Sequence, residues 1–407
     1  MLCRHCANPL RYTFVDLGFA PPSNAYLTVA DLSGPEIYYP LRVKVCDKCW
    51  LVQTEDYARA DELFSADYAY FSSTSTGWLA HASEYCRLMI ERFGLGSESH
   101  VVEVASNDGY LLRNFVEAGI PCLGIEPTAS TAAAAEAIGI PVLREFFGEN
   151  LSLKLAAEGR RADLVIGNNV YAHVPDVNDF TRGLAGLLKP AGVVTLEFPH
   201  LLQLIQHTQF DTVYHEHFSY LSLSAVGNIF HAAGLRVWDV EELSTHGGSL
   251  RIYGCHAESD RPATGRVAEL LQRERDAGLL NLQTYTAFQE RADKVREDLL
   301  FFLTDQKRSD KKVAAYGAAA KGNTLLNYAG VRSDLLPYVC DAAPSKQGRF
   351  MPGSHIPIKP PGALRDDPPD YILILPWNIA SEVRDQLADL AEGGARFVTA
   401  IPELQIQ

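Results

Sequence analysis

From residue 100 onward, patterns typical of buried strands alternate with patterns typical of helices. Four short apolar runs have the length and composition of buried strands: VVEVA (101–105), PCLGIE (121–126), ADLVIG (162–167) and GVVTLEF (192–198). Helical segments such as LLRNFVEAG and DFTRGLAGLLK lie between these runs. The alternation predicts an α/β fold in which helices cover both faces of a parallel sheet. Two further runs, at 235–243 and 249–257, predict a closing antiparallel pair.

A second block of strand and helix patterns follows a long polar helical stretch at 262–306. Its predicted strands are KVAAYGA (312–318), LLPYVCD (335–341), DYILILP (370–376) and RFVTAI (396–401). Because 407 residues are too many for one hydrophobic core, we expect several domains. The predicted limits are 1–60 for a small turn-rich module, 61–260 for the central α/β domain and 261–407 for a C-terminal α/β domain.

Charge and hydropathy exclude two classes of partner. The net charge is −14, whereas nucleic-acid binding needs clustered Lys and Arg, so we expect no nucleic-acid partner. No apolar run is long enough to span a bilayer, and the first ten residues, MLCRHCANPL, lack the apolar core of a signal peptide. These features predict a cytoplasmic protein without membrane contact.

Four cysteines form two C-x-x-C pairs, Cys3 with Cys6 and Cys46 with Cys49. Two such pairs supply the four thiolates of a tetrahedral Zn²⁺ site, and a cytoplasmic setting favours metal over disulfides. Four thiolates leave no coordination position for water or substrate, so the zinc is predicted to be structural. Four unrelated buried cysteines are the first alternative, which the doubled spacing disfavours. A redox dithiol is the second, and it lacks a thioredoxin-like context.

The first strand of the central domain runs into the turn EVASNDG (103–109) and then into a helix. Such turns present backbone N–H groups and a helix N-terminus to a nucleotide-type ligand, although Ala105 and Asn107 stand where glycines are expected. An acidic residue ends the next strand, where it can accept ribose hydroxyls, and two asparagines end the third. The cofactor is predicted to be S-adenosylmethionine (SAM), ahead of NAD, because SAM has no pyrophosphate to hold. The predicted cofactor residues are Glu103, Ser106, Asp108, Gly109, Glu126, Asn168 and Asn169.

The segment FDTVYHEHFSYLS places Tyr214, His215, Glu216 and His217 side by side in an apolar context. Adjacent ionisable groups in such a context are costly unless they are hydrogen-bonded or functional. His173 follows the strand that ends in the two asparagines, so it is expected near the cofactor. The alternatives are a metal site, for which no third ligand is evident, and a structural His–Glu pair.

A glycine turn, GAAAKGNT (317–324), joins a strand to a helix in the C-terminal block. Its spacing does not match a Walker A phosphate loop. A tight packing turn and a site for sugar-nucleotide phosphates are both consistent with it, and the loop PSKQGRF (344–350) leaves the same two interpretations. The predicted substrate-binding residues are Lys321, Asn323, Lys346 and Arg349.

Taken together, motifs along essentially the whole chain resemble one family, the SAM-dependent sugar 3-C-methyltransferases that act on nucleotide-linked 4-keto deoxysugars. Besides the two cysteine pairs, the motifs that carry this resemblance are LGFAPPSNAYL (17–27), YAYFSS (68–73), VEVASNDGYLL, NNVYAHV, YHEHFSY, HGGSLR (246–251), GAAAKGNTLLNY (317–328) and DAAPSKQGRFMPGSHIPI (341–358).

The resemblance implies an N-terminal zinc-binding module, a central Rossmann-like SAM domain and a C-terminal domain of similar topology that binds no dinucleotide. It also implies that His217 removes the C3 proton of the sugar and that Tyr68, His173, Tyr214 and Glu216 complete the catalytic site. The substrate is expected between the central and C-terminal domains, and the protein is expected to be a monomer.

Removal of a proton beside a ketone gives a delocalised enolate, which an imidazole base and nearby hydrogen bonds or positive charge can support. The carbanion then attacks the methyl group in line with the departing sulfur. Methylation of oxygen or nitrogen needs no carbon-acid base and leaves the Tyr-His-Glu-His cluster unexplained. A zinc-containing nucleotide-binding protein without turnover is the remaining alternative.

Overall fold

A computed structural model describes residues 1–55, 71–74 and 76–407, which form a mixed α/β structure with three sheets. The strands are β1 (Tyr12–Ala20), β2 (Tyr39–Val45), β3 (Val52–Thr54), β4 (Val101–Val104), β5 (Cys122–Ile125), β6 (Val142–Leu143), β7 (Ala162–Asn168), β8 (Leu188–Pro199), β9 (Ser219–Tyr220), β10 (Leu235–Leu243), β11 (Ser249–His256), β12 (Val313–Tyr316), β13 (Val339–Cys340), β14 (Ile358–Lys359), β15 (Tyr371–Ile374), β16 (Arg396–Thr399) and β17 (Gln405–Ile406).

The α-helices of the same residues are α1 (Thr76–Phe93), α2 (Leu112–Glu117), α3 (Ala129–Ala137), α4 (Glu149–Ala157), α5 (Val177–Leu187), α6 (Leu201–Gln206), α7 (Leu223–Ala232), α8 (Gly265–Asp276), α9 (Leu282–Thr286), α10 (Phe288–Arg308), α11 (Ala320–Tyr328), α12 (Ala363–Asp366), α13 (Ala380–Gln386) and α14 (Ala388–Glu392).

The central sheet has seven strands in the order β10-β11-β8-β7-β4-β5-β6. All neighbours are parallel except β11, which runs antiparallel to both β8 and β10. The α/β alternation and the closing antiparallel pair are therefore confirmed. The chain winds outward from β4 to one edge and then returns to β7, on the other side of β4. Open α/β sheets bind ligands at the carboxyl ends of the strands on either side of such a reversal.

The C-terminal sheet repeats this plan in the order β14-β13-β12-β15-β16-β17, parallel except for β17. Its reversal lies between β12 and β15. The polar stretch predicted as helical at 262–306 is interrupted, because Gly278 adopts a left-handed φ of 81° and the side chain of Asn281 accepts the N–H of Gln283 to start the next helix.

The N-terminal sheet has the order β1-β2-β3-β9, so its fourth strand comes from a distant part of the chain. β1 also packs against the helices that open the C-terminal region: the ring of Phe14 stacks on Phe288 with centroids 4.4 Å apart and meets Tyr285 edge-on at 6.0 Å. All three rings are buried, and full burial of each contributes about 1.5–3 kcal/mol. The three sheets therefore share one hydrophobic core.

Within the described part of the chain, every helix falls short of the length and apolar character that a bilayer crossing requires.

Candidate metal and active sites

The two cysteine pairs converge on one point. The sulfur atoms of Cys3, Cys6, Cys46 and Cys49 all lie within 4.8 Å of one another. Those of Cys3 and Cys49 are 3.5 Å apart, as are those of Cys6 and Cys46, and no disulfide joins them. Four sulfurs bound tetrahedrally to Zn²⁺ at about 2.3 Å would be about 3.8 Å apart. The donor set and its spacing therefore fit a structural zinc ion.

Two amide side chains donate to these sulfurs. Nε2 of Gln53 lies 3.3 Å from Sγ of Cys3, and Nδ2 of Asn8 lies 3.7 Å from Sγ of Cys46. Donors around a metal site orient the ligands and stabilise the thiolate charge. Both side chains were missing from the sequence prediction, which considered only the ligands.

The predicted cofactor turn lies at the reversal of the central sheet, directly after β4. Ala105, Asn107 and Gly109 have φ values of 57°, 50° and 77°, so the turn is left-handed at alternate positions. A Cβ on Gly109 would overlap the side chain of Ile140, which explains the one glycine that the turn does contain. The turn thereby brings its polar side chains to the carboxyl edge of the sheet.

Several buried oxygen atoms around this edge have no hydrogen-bond partner among the described residues. They are Glu103 Oε2, Ser106 Oγ, Asp108 Oδ1, Asn168 Oδ1 and Asn169 Oδ1. Buried polar atoms are almost always hydrogen-bonded, so a cluster of unsatisfied acceptors indicates a bound polar group. Hydroxyl, amine and ammonium donors of SAM match such acceptors. The residues present therefore fit the predicted cofactor.

Glu126 lies beside the turn, but each of its carboxylate oxygens already accepts a backbone N–H. Oε2 accepts from Asn107 at 3.0 Å and Oε1 from Thr128 at 2.9 Å. The residue thus orders the turn, and the remaining lone pairs of its oxygens stay available for a ligand hydroxyl. The neighbouring carboxyl of Glu103 has its pKa raised well above the usual range by burial, and further by Glu126 and Asp108.

Two imidazoles of the predicted catalytic cluster pack edge to face. The ring centroids of His173 and His217 are 4.6 Å apart. Nδ1 of His217 is 3.1 Å from the carbonyl oxygen of Thr212, and Nδ1 of His173 is 2.8 Å from that of Glu216. Because a carbonyl can only accept, each Nδ1 carries the proton, and Nε2 of His217 therefore carries the lone pair. The structure therefore provides two imidazoles in the tautomer that a base requires.

Burial keeps both imidazoles neutral. It lowers the pKa of His217 well below its usual value, with His173 and the ammonium of Lys321 adding to the shift. Burial likewise lowers the pKa of His173 to about 4. The ring of Tyr214 lies 4.0 Å from that of His217, measured between centroids. Three of the five predicted catalytic residues thus lie together.

Glu216 is oriented by a residue from the N-terminal module. Nδ2 of Asn24 donates to both carboxylate oxygens, at 3.1 and 2.9 Å. Burial raises the pKa of Glu216 to about 7, so its acid and carboxylate forms are both populated near neutral pH. Asn24 lies in the LGFAPPSNAYL motif, but its role was not predicted. Tyr68, the fifth predicted catalytic residue, lies outside the described residues.

A buried ion-pair network joins β8 and β11 to helix α1. The carboxylate of Glu197 accepts from Arg251 at 2.8 Å, from His81 at 3.0 Å and from Thr245 at 3.2 Å. Arg251 also pairs with Glu241 at 2.9 Å. A fully buried charge needs such a complete set of partners. The HGGSLR motif contains Arg251, which was a signal of this network in the sequence.

Lys321 lies at the reversal of the C-terminal sheet. Its ammonium donates to Oδ1 of Asn378 at 2.6 Å and lies 4.6 Å from the ring centroid of Trp377. The indole N–H of Trp377 donates to the buried carboxylate of Asp211 at 2.7 Å, which docks this edge on the central domain. Burial lowers the pKa of Lys321, and the charge of Asp211 opposes the shift. Among the described residues, no carboxylate forms an ion pair with it.

The other three predicted substrate residues occupy different surroundings. Asn323 is fully buried and donates to the backbone oxygen of Ser23 at 2.6 Å, so its amide joins two domains. Lys346 donates to the carbonyl of Ala318 at 2.7 Å. Arg349 is exposed. Phosphate contacts by these residues stay predictions, and the position of Asn323 gives that role no support.

Loss of one cysteine ligand should release the metal. We expect C46S to weaken zinc binding by more than the roughly 10–100-fold typical of changes outside the ligand set, because a hydroxyl is a poor substitute for a thiolate. Elemental analysis and thermal unfolding measure the two consequences, zinc content and stability. C122S is the matched control, since Cys122 is buried outside the cluster. A folded C46S protein that retains one zinc per chain would contradict the assignment.

Removal of one acceptor from Glu126 should weaken cofactor binding. We expect E126Q to bind S-adenosylhomocysteine at least about tenfold more weakly, because one hydrogen bond to a charged group contributes about 1.5–3 kcal/mol. Calorimetry gives the affinity directly. E136Q is the control, because Glu136 pairs with Arg144 on the exposed side of α3. Equal affinities of E126Q and wild type would show that Glu126 only caps the turn.

Three domain families match the chain in succession. Residues 3–64 match a putative zinc binding domain, residues 78–240 a methyltransferase domain and residues 244–402 a C-methyltransferase C-terminal domain. A ubiquinone biosynthesis O-methyltransferase of Rhodopseudomonas palustris is 27% identical over 96 residues, which cover 24% of this chain and 38% of that protein. Magnesium protoporphyrin IX methyltransferase from Synechocystis PCC 6803 superposes with a TM-score of 0.36 and 15% identity over 44% of this chain and 84% of its own.

A full-length relative is more informative. The C-methyltransferase NovU of Streptomyces niveus is 35% identical over 404 residues, which cover 99% of this chain and 96% of that protein. The zinc site and the cofactor turn described above lie inside the matched domains. The chain belongs to this family of SAM-dependent C-methyltransferases.

Proposed function

We propose that the protein transfers a methyl group to C3 of a nucleotide-diphosphate-linked 4-keto deoxysugar, after His217 has removed the C3 proton. The observation that carries this proposal is the pair of buried neutral imidazoles, each with Nδ1 bound to a backbone carbonyl, so that Nε2 of His217 carries the lone pair of a base. Such a pair suits a carbon acid, whereas methylation of oxygen or nitrogen needs no base of this kind. The sugar substrate itself rests on the family motifs of the sequence.

His217 is the better placed of the two imidazoles. It is the more buried, and the ring of Tyr214 covers it. His173 then orients the base, because the two rings pack edge to face. SAM supplies the electrophilic methyl group when it is bound at the carboxyl edge of β4 and β7. The task of the protein is to align the two partners, which can supply much of the acceleration.

Lys321 is the cation that we assign to the ketone oxygen. Its ammonium has three donors, and Asn378 takes one of them. The same charge contributes to the lowered pKa of His217, which is consistent with a cation near enough to act on the same substrate. A developing enolate oxygen would satisfy a buried ammonium better than the neutral ketone does, so the interaction strengthens in the transition state. This role replaces the phosphate contact predicted for Lys321 from the glycine turn.

Loss of the base should abolish turnover while cofactor binding survives. We expect H217N to reduce methylation of a 4-keto sugar nucleotide by 10²–10⁴-fold, roughly the contribution of a general base, with unchanged affinity for S-adenosylhomocysteine. Exchange of the C3 hydrogen with deuterated water measures proton removal alone. Because His217 acts when unprotonated and its pKa is lowered, its protonation should slow C3 exchange only well below pH 6.5, whereas a change between pH 6 and 8 would report Glu216, whose pKa is about 7.

H173N is the matched comparison, since it removes the facing imidazole. A slower reaction that still exchanges the C3 hydrogen is expected for H173N. If H217N exchanges and methylates at wild-type rates while H173N does neither, the base is His173. If wild-type protein methylates oxygen or nitrogen acceptors and leaves keto sugars unchanged, the proposed function is wrong.

A second variant separates the two roles of Lys321. We expect K321M to lower kcat by about 10²–10³-fold, as loss of one oxyanion donor does, with little change in the Kd of the nucleotide diphosphate. K346M is the control, because Lys346 is engaged with the carbonyl of Ala318. A large rise in Kd at nearly normal kcat would instead place Lys321 on the phosphates.

A further inference from the structure

The strand that follows the base belongs to the sheet of the zinc module. β9 begins two residues after His217 and pairs antiparallel with β3, with Val52 opposite Tyr220 and Gln53 opposite Ser219. β3 begins three residues after Cys49. Because the pair is antiparallel, the metal ligand Cys49 lies at one end of these two strands and His217 lies at the other.

Thr54, the last residue of β3, forms hydrogen bonds with the backbone of His217 and with that of the next residue, Phe218. Its Oγ1 donates to the carbonyl oxygen of His217 at 3.1 Å, and its N–H donates to that of Phe218, also at 3.1 Å. Thr54 is buried. Its hydroxyl therefore satisfies a buried carbonyl that water does not reach, and that carbonyl belongs to the residue whose imidazole must be aligned.

Gln53 joins this strand pair to the cysteine cluster. While its backbone pairs with Ser219, its Nε2 donates to Sγ of Cys3 at 3.3 Å and its Oε1 accepts the N–H of Arg4 at 2.9 Å. The side chain is fully buried. Gln53 is therefore the single residue that links the sulfur of Cys3 to β9, the strand that follows His217.

We propose that the zinc module positions the catalytic base, with Gln53 and Thr54 as positioning residues for His217. β3 has three residues and β9 has two, and so short a pair is not stable without an anchor. The cysteine cluster supplies that anchor when the metal is bound, because Cys46 and Cys49 fix the chain just before β3 and the sulfur of Cys3 accepts from the side chain of Gln53. The proposal rests on the proposed function only in taking His217 as the base.

The test compares three threonine variants in the zinc-loaded protein. T54V removes the hydroxyl and keeps the shape, and it should lower kcat and C3 hydrogen exchange by about 10–100-fold, because a misplacement near 1 Å can cost on the order of 10²-fold. Zinc content and the Kd for S-adenosylhomocysteine should not change. T54S should recover most of the activity. T13V is the control in the same sheet, because the hydroxyl of Thr13 accepts from Lys44 on the neighbouring strand β2.

A second readout needs no substrate. In a pH titration followed by NMR of ¹⁵N-labelled histidine, the His217 signal, assigned by its absence from H217N, should titrate well below 6.5 in wild type. T54V should move this pKa upward, since a loosened loop gives the ring access to water. Q53M should do the same and should also lose zinc faster to a chelator, which keeps the test valid if T54V does not fold.

The proposal is overturned if T54V and Q53M keep both the kcat and the His217 titration of wild type, or if T13V loses as much as T54V. Failure of the proposed function has a different signature. If wild type leaves keto sugars unmethylated, the NMR titration alone decides, and an unmoved His217 signal in T54V and Q53M rejects the positioning role.

Discussion

The short loop that carries His217 depends on hydrogen bonds from all three domains. The hydroxyl of Thr54 binds the carbonyl of His217, the N–H of Phe218 binds the carbonyl of Ala172, and the hydroxyl of Thr324 binds the carbonyl of Val213. A loop with only two residues of strand cannot be rigid by itself, and catalysis requires a base that is held in place. The three domains therefore meet at the loop that carries His217, and the proposed reaction depends on the position of that side chain.

The central and C-terminal sheets share one local design but use it differently. In each, an acidic residue after the second strand accepts an N–H from the turn after the first: Glu126 from Asn107 and Asp341 from Ala318, the latter at 2.7 Å. In the central domain this leaves unsatisfied acceptors for a cofactor. In the C-terminal domain the hydroxyl of Tyr26 donates to the carbonyl of Ala318 at 2.5 Å, so the N-terminal module occupies the corresponding turn.

Local patterns predicted the elements, whereas contacts between distant segments decided the site. The run 235–243 is β10 residue for residue, because its valines, tryptophan and leucines favour a partly buried strand. The cysteine spacing predicted the cluster because each C-x-x-C pair is itself a local pattern. β9 has too few residues to leave a pattern, and the bond from Asn24 to Glu216 spans 192 positions, so neither was predictable. The glycine turn singled out Lys321 but left a packing turn and a phosphate site both open, since the turn carries no information about the neighbouring domain.

The charges around the base favour proton removal only when an anion forms beside it. Burial and neighbouring positive charge make an isolated imidazolium at His217 unstable, which is why the ring is neutral before reaction. In the proposed reaction the C3 proton moves to Nε2, and the new cation would have no carboxylate paired to it or to Lys321 among the described residues. An enolate between the two cations would offset this cost. Protonation of His217 from water, with no enolate beside it, would not. The same surroundings that weaken His217 as a free base therefore couple its protonation to formation of the carbanion.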